Sequence, residues 1–245
     1  MRITRIFALL TAASLTACGG ETSAQSECTD PAAAAFELLS KQADSEEIEQ
    51  AAVRVNAQQL SACSAEGLAK LSGYEERASL NGNPVSTSRV NISPLAVDIT
   101  ITAPNPGTPE EIVLVNAFAF AKINGEWLEA TKDNPDSTIA SIPDLRNGFE
   151  TQLNPRLRAA GTDASIEYEL TGFDEVLGQP VIVLATELPG GNSGEPYEVS
   201  YFVNEDYVIL RSVVSGSDGQ NTRVSEITSY DVAQDIRNPI LAEQE

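Results

Sequence analysis

The sequence contains no histidine, one methionine, one tryptophan and three cysteines, and its 15 Lys and Arg are outnumbered by 36 Asp and Glu. Without histidine there is no Ser-His-Asp triad, no Cys-His pair and no imidazole-based metal centre. A formal net charge of −21 opposes binding to nucleic acid and to anionic head groups, so no nucleic-acid partner is expected. Carboxylates abound, yet none is set in a recognisable acid/base motif. Asp133, Asp136 and Asp144 fail the spacing of a calcium loop, and Pro135 interrupts them. The run from Gly190 to Gly194 lacks the lysine and the following helix of a phosphate loop. These absences point to a protein that is not an enzyme and carries no metal or cofactor.

What is present begins at the N-terminus. Arg2 and Arg5 precede the apolar run from Ile6 to Leu10, which continues through Ala12 and Ala13. That run is shorter than the roughly 20 residues of a spanning helix and has the layout of a secretory signal. It ends in Leu15-Thr16-Ala17-Cys18-Gly19, which resembles the lipobox of bacterial lipoproteins. The resemblance implies cleavage after residue 17 and lipidation of Cys18, with residues 18–27 as a flexible tether. Acyl chains contribute about 0.8 kcal/mol per buried CH₂, so a multiply acylated Cys18 is a stable membrane anchor. Gly19, in place of an Asp, implies outer-membrane delivery, on the periplasmic side of the cell envelope.

Export places Cys28 and Cys63 in an oxidising compartment, where a disulfide is expected. It would close a loop of about 35 residues and contribute roughly 3 to 4 kcal/mol on the chain-entropy argument. Two reduced thiols as half of a metal site is the other reading, and further ligands for it are wanting.

Residues 28–245 read as one α+β domain with a helical N-terminal part at 28–73. Asp30-Pro31 suits a helix start, with Asp30 as cap and Phe36 and Leu39 on one face. Ser45-Glu46-Glu47-Ile48 opens a second helix, and Ser64 a third that ends at Gly73. From Tyr74 the period becomes two. Val97, Ile99 and Ile101 alternate with polar residues, while Glu111 to Val115 is apolar on both faces. Asn81-Gly82 and Asn124-Gly125 are hairpin turns, and Asp218-Gly219 is a third turn. Between 137 and 161 the pattern is helical through Ile142, Phe149, Leu153 and Leu157, and Pro155 should kink or split that helix. Strands resume at Ile166 and run to Tyr230, after which the tail covers an edge. About ten to eleven strands cannot stay flat, so the sheet should coil into an open or partly closed barrel. A division into two small domains near Asp133–Asp136 is the competing reading.

Short segments carry a wider resemblance: Tyr74-Glu75-Glu76-Arg77 with Asn81-Gly82, Glu110 to Leu114, Phe120 to Trp127, Tyr168 to Gly172 and Val176 to Pro180. They resemble the LolA/LolB-like superfamily, including lipid-carrying mycobacterial lipoproteins, over most of the chain after Tyr74. The resemblance implies an unclosed antiparallel half-barrel with helices over its concave face and acyl chains held between them. The long helical start departs from that pattern.

The strand residues expected to line the concave face are Val97, Ile99, Ile101, Phe118 and Phe120 in the first half. In the second half they are Tyr168, Leu170, Tyr201 and Val203, with Phe149 and Leu153 facing them from the helix. Left partly open, this lining is a cavity for lipid or acyl chains or for an acylated protein. Filled by the helix, it is a core, and the protein is then a structural lipoprotein that docks an envelope partner through its acidic surface.

Overall fold

The computed structural model describes residues 28–190, 195–216 and 221–242. The signal, Cys18, the tether, most of the 190–194 connection and the Asp218-Gly219 turn lie outside them.

Three helices and a short strand come first: α1 (Ala33–Lys41), α2 (Ser45–Ala51), β1 (Arg54–Asn56) and α3 (Ala57–Ala69). Asp30 does not cap α1, whose first turn has no side-chain cap; its carboxylate is taken by the Tyr207 hydroxyl instead. α2 carries a full capping box between Asp44 and Glu47, each side chain bonding the other's backbone N–H at 3.0 Å. α3 begins seven residues ahead of Ser64, because Asn56 Oδ1 accepts from the N–H groups of Gln58 and Gln59 and sets the start there. The Cys28–Cys63 disulfide is present, with Cα atoms 4.6 Å apart, and fastens the first described residue to α3.

Six antiparallel strands follow: β2 (Gly73–Leu80), β3 (Asn83–Asn91), β4 (Ala96–Ile101), β5 (Glu111–Val115), β6 (Phe118–Ile123) and β7 (Glu126–Glu129). At both Asn-Gly turns the two residues have positive φ, 52° and 76° at Asn81-Gly82 and 52° and 82° at Asn124-Gly125, the requirement of a tight two-residue hairpin. The helical interruption comprises α4 (Ser137–Ala140), a 3₁₀ turn (Ile142–Asp144), α5 (Leu145–Leu153) and α6 (Pro155–Ala160). Pro155 splits it as expected: it stands at the first turn of α6, and Asn154 Oδ1 caps that helix through Arg156 and Leu157. Then come β8 (Glu167–Val176), β9 (Gln179–Leu188), β10 (Tyr197–Val203), β11 (Ile209–Gly216) and β12 (Arg223–Tyr230), and a last turn of helix, α7 (Pro239–Ala242).

All the strands join one 12-stranded antiparallel sheet in the order β1-β8-β9-β10-β11-β12-β2-β3-β4-β5-β6-β7. The strand beyond the expected ten to eleven is β1, inside the segment read as helical, where Val55 pairs with Tyr168. β12 pairs with β2, so strands from before and after the helical interruption share one sheet. β1 and β7 are its two edges and do not meet, which leaves an unclosed half-barrel. Register shifts in β2/β3, β8/β9, β10/β11 and β12/β2 are bulges that sharpen the coil of so wide a sheet.

Helices cover one face. α1 lies against β9 and α2 against β8, burying Leu170, Ile182, Leu184 and Val203 with Leu60 of α3. The 3₁₀ turn and α5 set Ile142 and Phe149 over Val97, Ile112 and Leu114. The opposite face carries a smaller cluster in which Ile236 and Ile240 of the tail pack on Phe120 and Trp127, beside the edge strand β7 that α7 touches.

Candidate functional site

Strand register fixes which residues share the helix-covered, concave face, because directly paired residues point the same way. One row crosses the sheet from Leu170 through Leu184, Tyr201, Ser212, Ser225, Ala78 and Ser86 to Ile101. Its ends are apolar and its centre is serine and alanine. A second row runs from Ile227 through Glu76, Ser88, Ile99 and Ile112 to Ala121. Small side chains at the centre of a coiled sheet leave room above them, and Ser88, Ser212 and Ser225 remain half-buried beneath the helices. At the rim, Ile92 and Leu95 of the β3–β4 turn face Glu150, Leu153, Asn154, Pro155 and Arg156 across an open cleft of about 650 Å³.

The expected lining residues divide into three groups. Val97, Phe149, Tyr168, Leu170 and Val203 are buried in the packed layers between sheet and helices. Ile99, Ile101, Leu153 and Tyr201 lie on the same side but stay partly exposed, and Leu153 forms part of the cleft wall. Phe118 and Phe120 are corrections. Phe120 pairs with Val113, and Val113 with Asp98, whereas Val97 pairs with Leu114 and Leu114 with Ala119. The two phenylalanines therefore stand on the convex face, stacked with centroids 6.2 Å apart. β6 is apolar on both faces, so alternation alone could not say which of Phe and Ala looks inward.

Sequence reasoning missed a polar cluster at the middle of the concave face. Tyr74 and Glu76 come from β2, Ser225 from β12, Tyr201 from β10 and Tyr168 from β8, the last two with ring centroids 5.1 Å apart. Arg158 of α6 stands over them, within electrostatic reach of Tyr201, Tyr74, Glu76 and Tyr168. α6 is held in place by Gln58 Nε2 donating to the Ala159 carbonyl at 3.1 Å and by a Thr162–Ser61 hydroxyl bond of 3.0 Å. The same alternation that sent Tyr74 inward placed Glu76 inward too, and this was the available signal; nothing local marked Arg158.

Burial dominates the electrostatics there. It pushes the Glu76 carboxyl above the usual carboxylate range, against the Ser225 hydrogen bond and the nearby Arg223 and Arg158, which pull it down. It raises the Tyr74 hydroxyl, an effect the Glu76 charge reinforces, and the Tyr168 hydroxyl, which Tyr201 also pushes up. The same desolvation lowers Arg158. Glu76 and Arg158 both keep part of their surface accessible. Among the described residues no group of three or more Cys, Asp or Glu could hold a metal ion, and no helix is long and apolar enough to cross a membrane.

No family model and no curated relative matches the sequence. Solved structures do. LprF from Mycobacterium bovis is 14% identical, covers 75% of this chain and 96% of its own, and superposes with a TM-score of 0.48. The lipoprotein LppX from Mycobacterium tuberculosis is 12% identical over 74% of this chain and 97% of its own, with a TM-score of 0.48. A chain from the MucA/MucB complex of Pseudomonas aeruginosa is 17% identical over 76% of this chain and 59% of its own, with a TM-score of 0.44.

Proposed function

We propose that this protein is a non-catalytic envelope lipoprotein, anchored through Cys18 on the periplasmic side of the outer membrane, that takes lipid or acyl chains between its helices and the concave face of the sheet. The observation that carries the reading is the row of Ser212, Ser225, Ala78 and Ser86 beneath the helices. Its side chains are small where the flanking layers are apolar, and the partly apolar cleft at Leu153 lies on the same side of the sheet. An acyl chain moving from water into such surroundings gains about 25 cal/mol per Å² of apolar area removed. The sheet is unclosed and has a small helix, α6, over its middle, so a guest can enter without the barrel opening.

The test is native mass spectrometry of the Cys18→Ser protein followed by organic extraction. A stoichiometric co-purifying lipid, or uptake of an offered fatty acid or phospholipid, supports the reading. A clean apo mass with no uptake would reject it and turn attention to a protein partner of the acidic surface. Membrane fractionation of the same variant tests the anchor, since loss of Cys18 should release the chain from the membrane.

A further inference from the structure

The hairpins β2–β3 and β6–β7 turn on Asn-Gly, but the β3–β4 turn is Ile92-Ser93-Pro94-Leu95. Ile92 and Leu95 are only partly buried and face Leu153 and Pro155 of the α5–α6 corner across the open cleft. Leu157 of α6 is 52% exposed. Apolar side chains gathered at a rim mark a surface that meets something other than water.

The charge at this corner runs against the rest of the chain. Between 145 and 161 stand three arginines and one glutamate, in a sequence of formal net charge −21. Arg54, Arg77, Arg89 and Arg211 each have a carboxylate partner. Among the described residues Arg146, Arg156 and Arg158 stand in no salt bridge. Arg146 and Arg158 turn to the Leu95 and Gln152 carbonyls at 3.5 Å, and Arg156 is exposed on the cleft wall.

We propose that the β3–β4 turn and the α5–α6 corner dock on the surface of an anionic phospholipid bilayer, with Leu157 and the cleft's apolar rim in the interface and Arg156 at the lipid phosphates. The acidic remainder of the surface is repelled by the same head groups, which leaves one docked orientation, cleft toward lipid. The attachment of the chain favours a bilayer over a protein partner. Cys28 is tied to α3, α3 packs against both α5 and α6, and a tether of residues 18–27 spans at most roughly 35 Å. That argument rests on the anchoring proposed above; the charge and the apolar rim stand without it.

The test floats the full chain carrying Cys18→Ser with vesicles of phosphatidylcholine alone or mixed equally with phosphatidylglycerol. The mixed vesicles should carry the protein and the neutral ones much less, and added salt should shrink the difference. Hydrogen exchange on the mixed vesicles should slow at residues 92–95 and 145–161 and stay unchanged at the Asn81-Gly82 turn, which lies at the other end of β3. Arg156→Gln should weaken binding about fivefold, the scale of one arginine at an anionic surface, and Leu157→Ser about tenfold. Glu150→Gln should strengthen it, and Leu80→Ser, beside the Asn81-Gly82 turn, should leave it unchanged. Exchange on the parent protein decides the matter should a variant fail to fold. No binding to either vesicle, binding without protection at the corner, or affinity indifferent to Arg156→Gln overturns the docking surface. Lipid uptake is read on free ligand, so it survives or fails separately.

Discussion

The Tyr207 hydroxyl joins the two ends of the fold: it donates to the Asp30 carboxylate and accepts from the buried Ala32 N–H at 3.0 Å. Its ring meets Phe36 edge-on, with centroids 5.5 Å apart and planes at 87°. One side chain after β10 thus serves the residues that lead into α1. Tyr207→Phe keeps the ring contact and removes both hydrogen bonds, leaving a buried N–H and a carboxylate without this partner. A loss of about 1–2 kcal/mol is expected in urea unfolding, and protection of the α1 amides against hydrogen exchange should fall more than that of β4 or β5.

Gly67 touches the same loop from the other side. A Cβ there would sit 2.2 Å from the Asp206 carbonyl oxygen and 3.2 Å from a Val208 methyl. α3 can therefore lie flat on the β10–β11 turn only while this position has no side chain. Gly67→Ala would improve helix propensity in isolation but should destabilise the protein by about 1–3 kcal/mol through overpacking against backbone. Thermal unfolding measures this; a rise in Tm would mean α3 does not sit as described.

Phe120 and Phe118 differ in burial and agree in face. Phe120 is 2% exposed and Phe118 48%. Phe120→Ala should lower stability by about 3–5 kcal/mol, and Phe118→Ala by less than about 1 kcal/mol. Since both stand on the convex face, Phe118→Ala should leave affinity for any ligand of the concave face unchanged. A binding defect from it would contradict the register.

Glu76 makes stability depend on pH in an unusual direction for a carboxylate. Its folded pKa is raised above the ordinary value, so the native state holds the proton more tightly than the unfolded chain does. The resulting stability is fully present below the ordinary carboxylate pKa and is lost as pH rises through the raised one. Glu76→Gln, which keeps an acceptor for Ser225, should match the parent protein below about pH 4 and gain on it steadily towards neutrality. Chemical denaturation across that range tests the sign, and a constant difference at all pH values would refute it.

The strands and turns were legible in the sequence where one cause acts alone. Asn-Gly pairs admit positive φ cheaply, so both hairpins were readable, and Pro155 could only divide its helix. β1 was not readable. Three residues between two helices have no period of their own, and Val55 is extended because Tyr168 offers it a partner. The concave lining was legible wherever one face is apolar, as at Val97 and Ile99. It failed at Phe118 and Phe120, where the tail supplies a second apolar layer that no pattern inside β6 announces. The Arg158 cluster was beyond reach for a related reason: its members come from α6 and four strands, and only the coil of the sheet gathers them.

The bridge from Cys28 to Cys63 also decides how this domain meets mechanical force. A pull on the chain ahead of residue 28 passes through sulfur directly into α3, which packs against α6, α5 and β1. The intervening stretch, across a sequence separation of 35 and including α1, α2 and β1, forms a closed loop outside the path of the load. Tension that would otherwise peel the edge strand β1 from β8, unzipping three backbone pairs, instead reaches a helix locked by Gly67 against the β10–β11 turn. The first segments of the fold are slack under traction, and the grip lies in its centre.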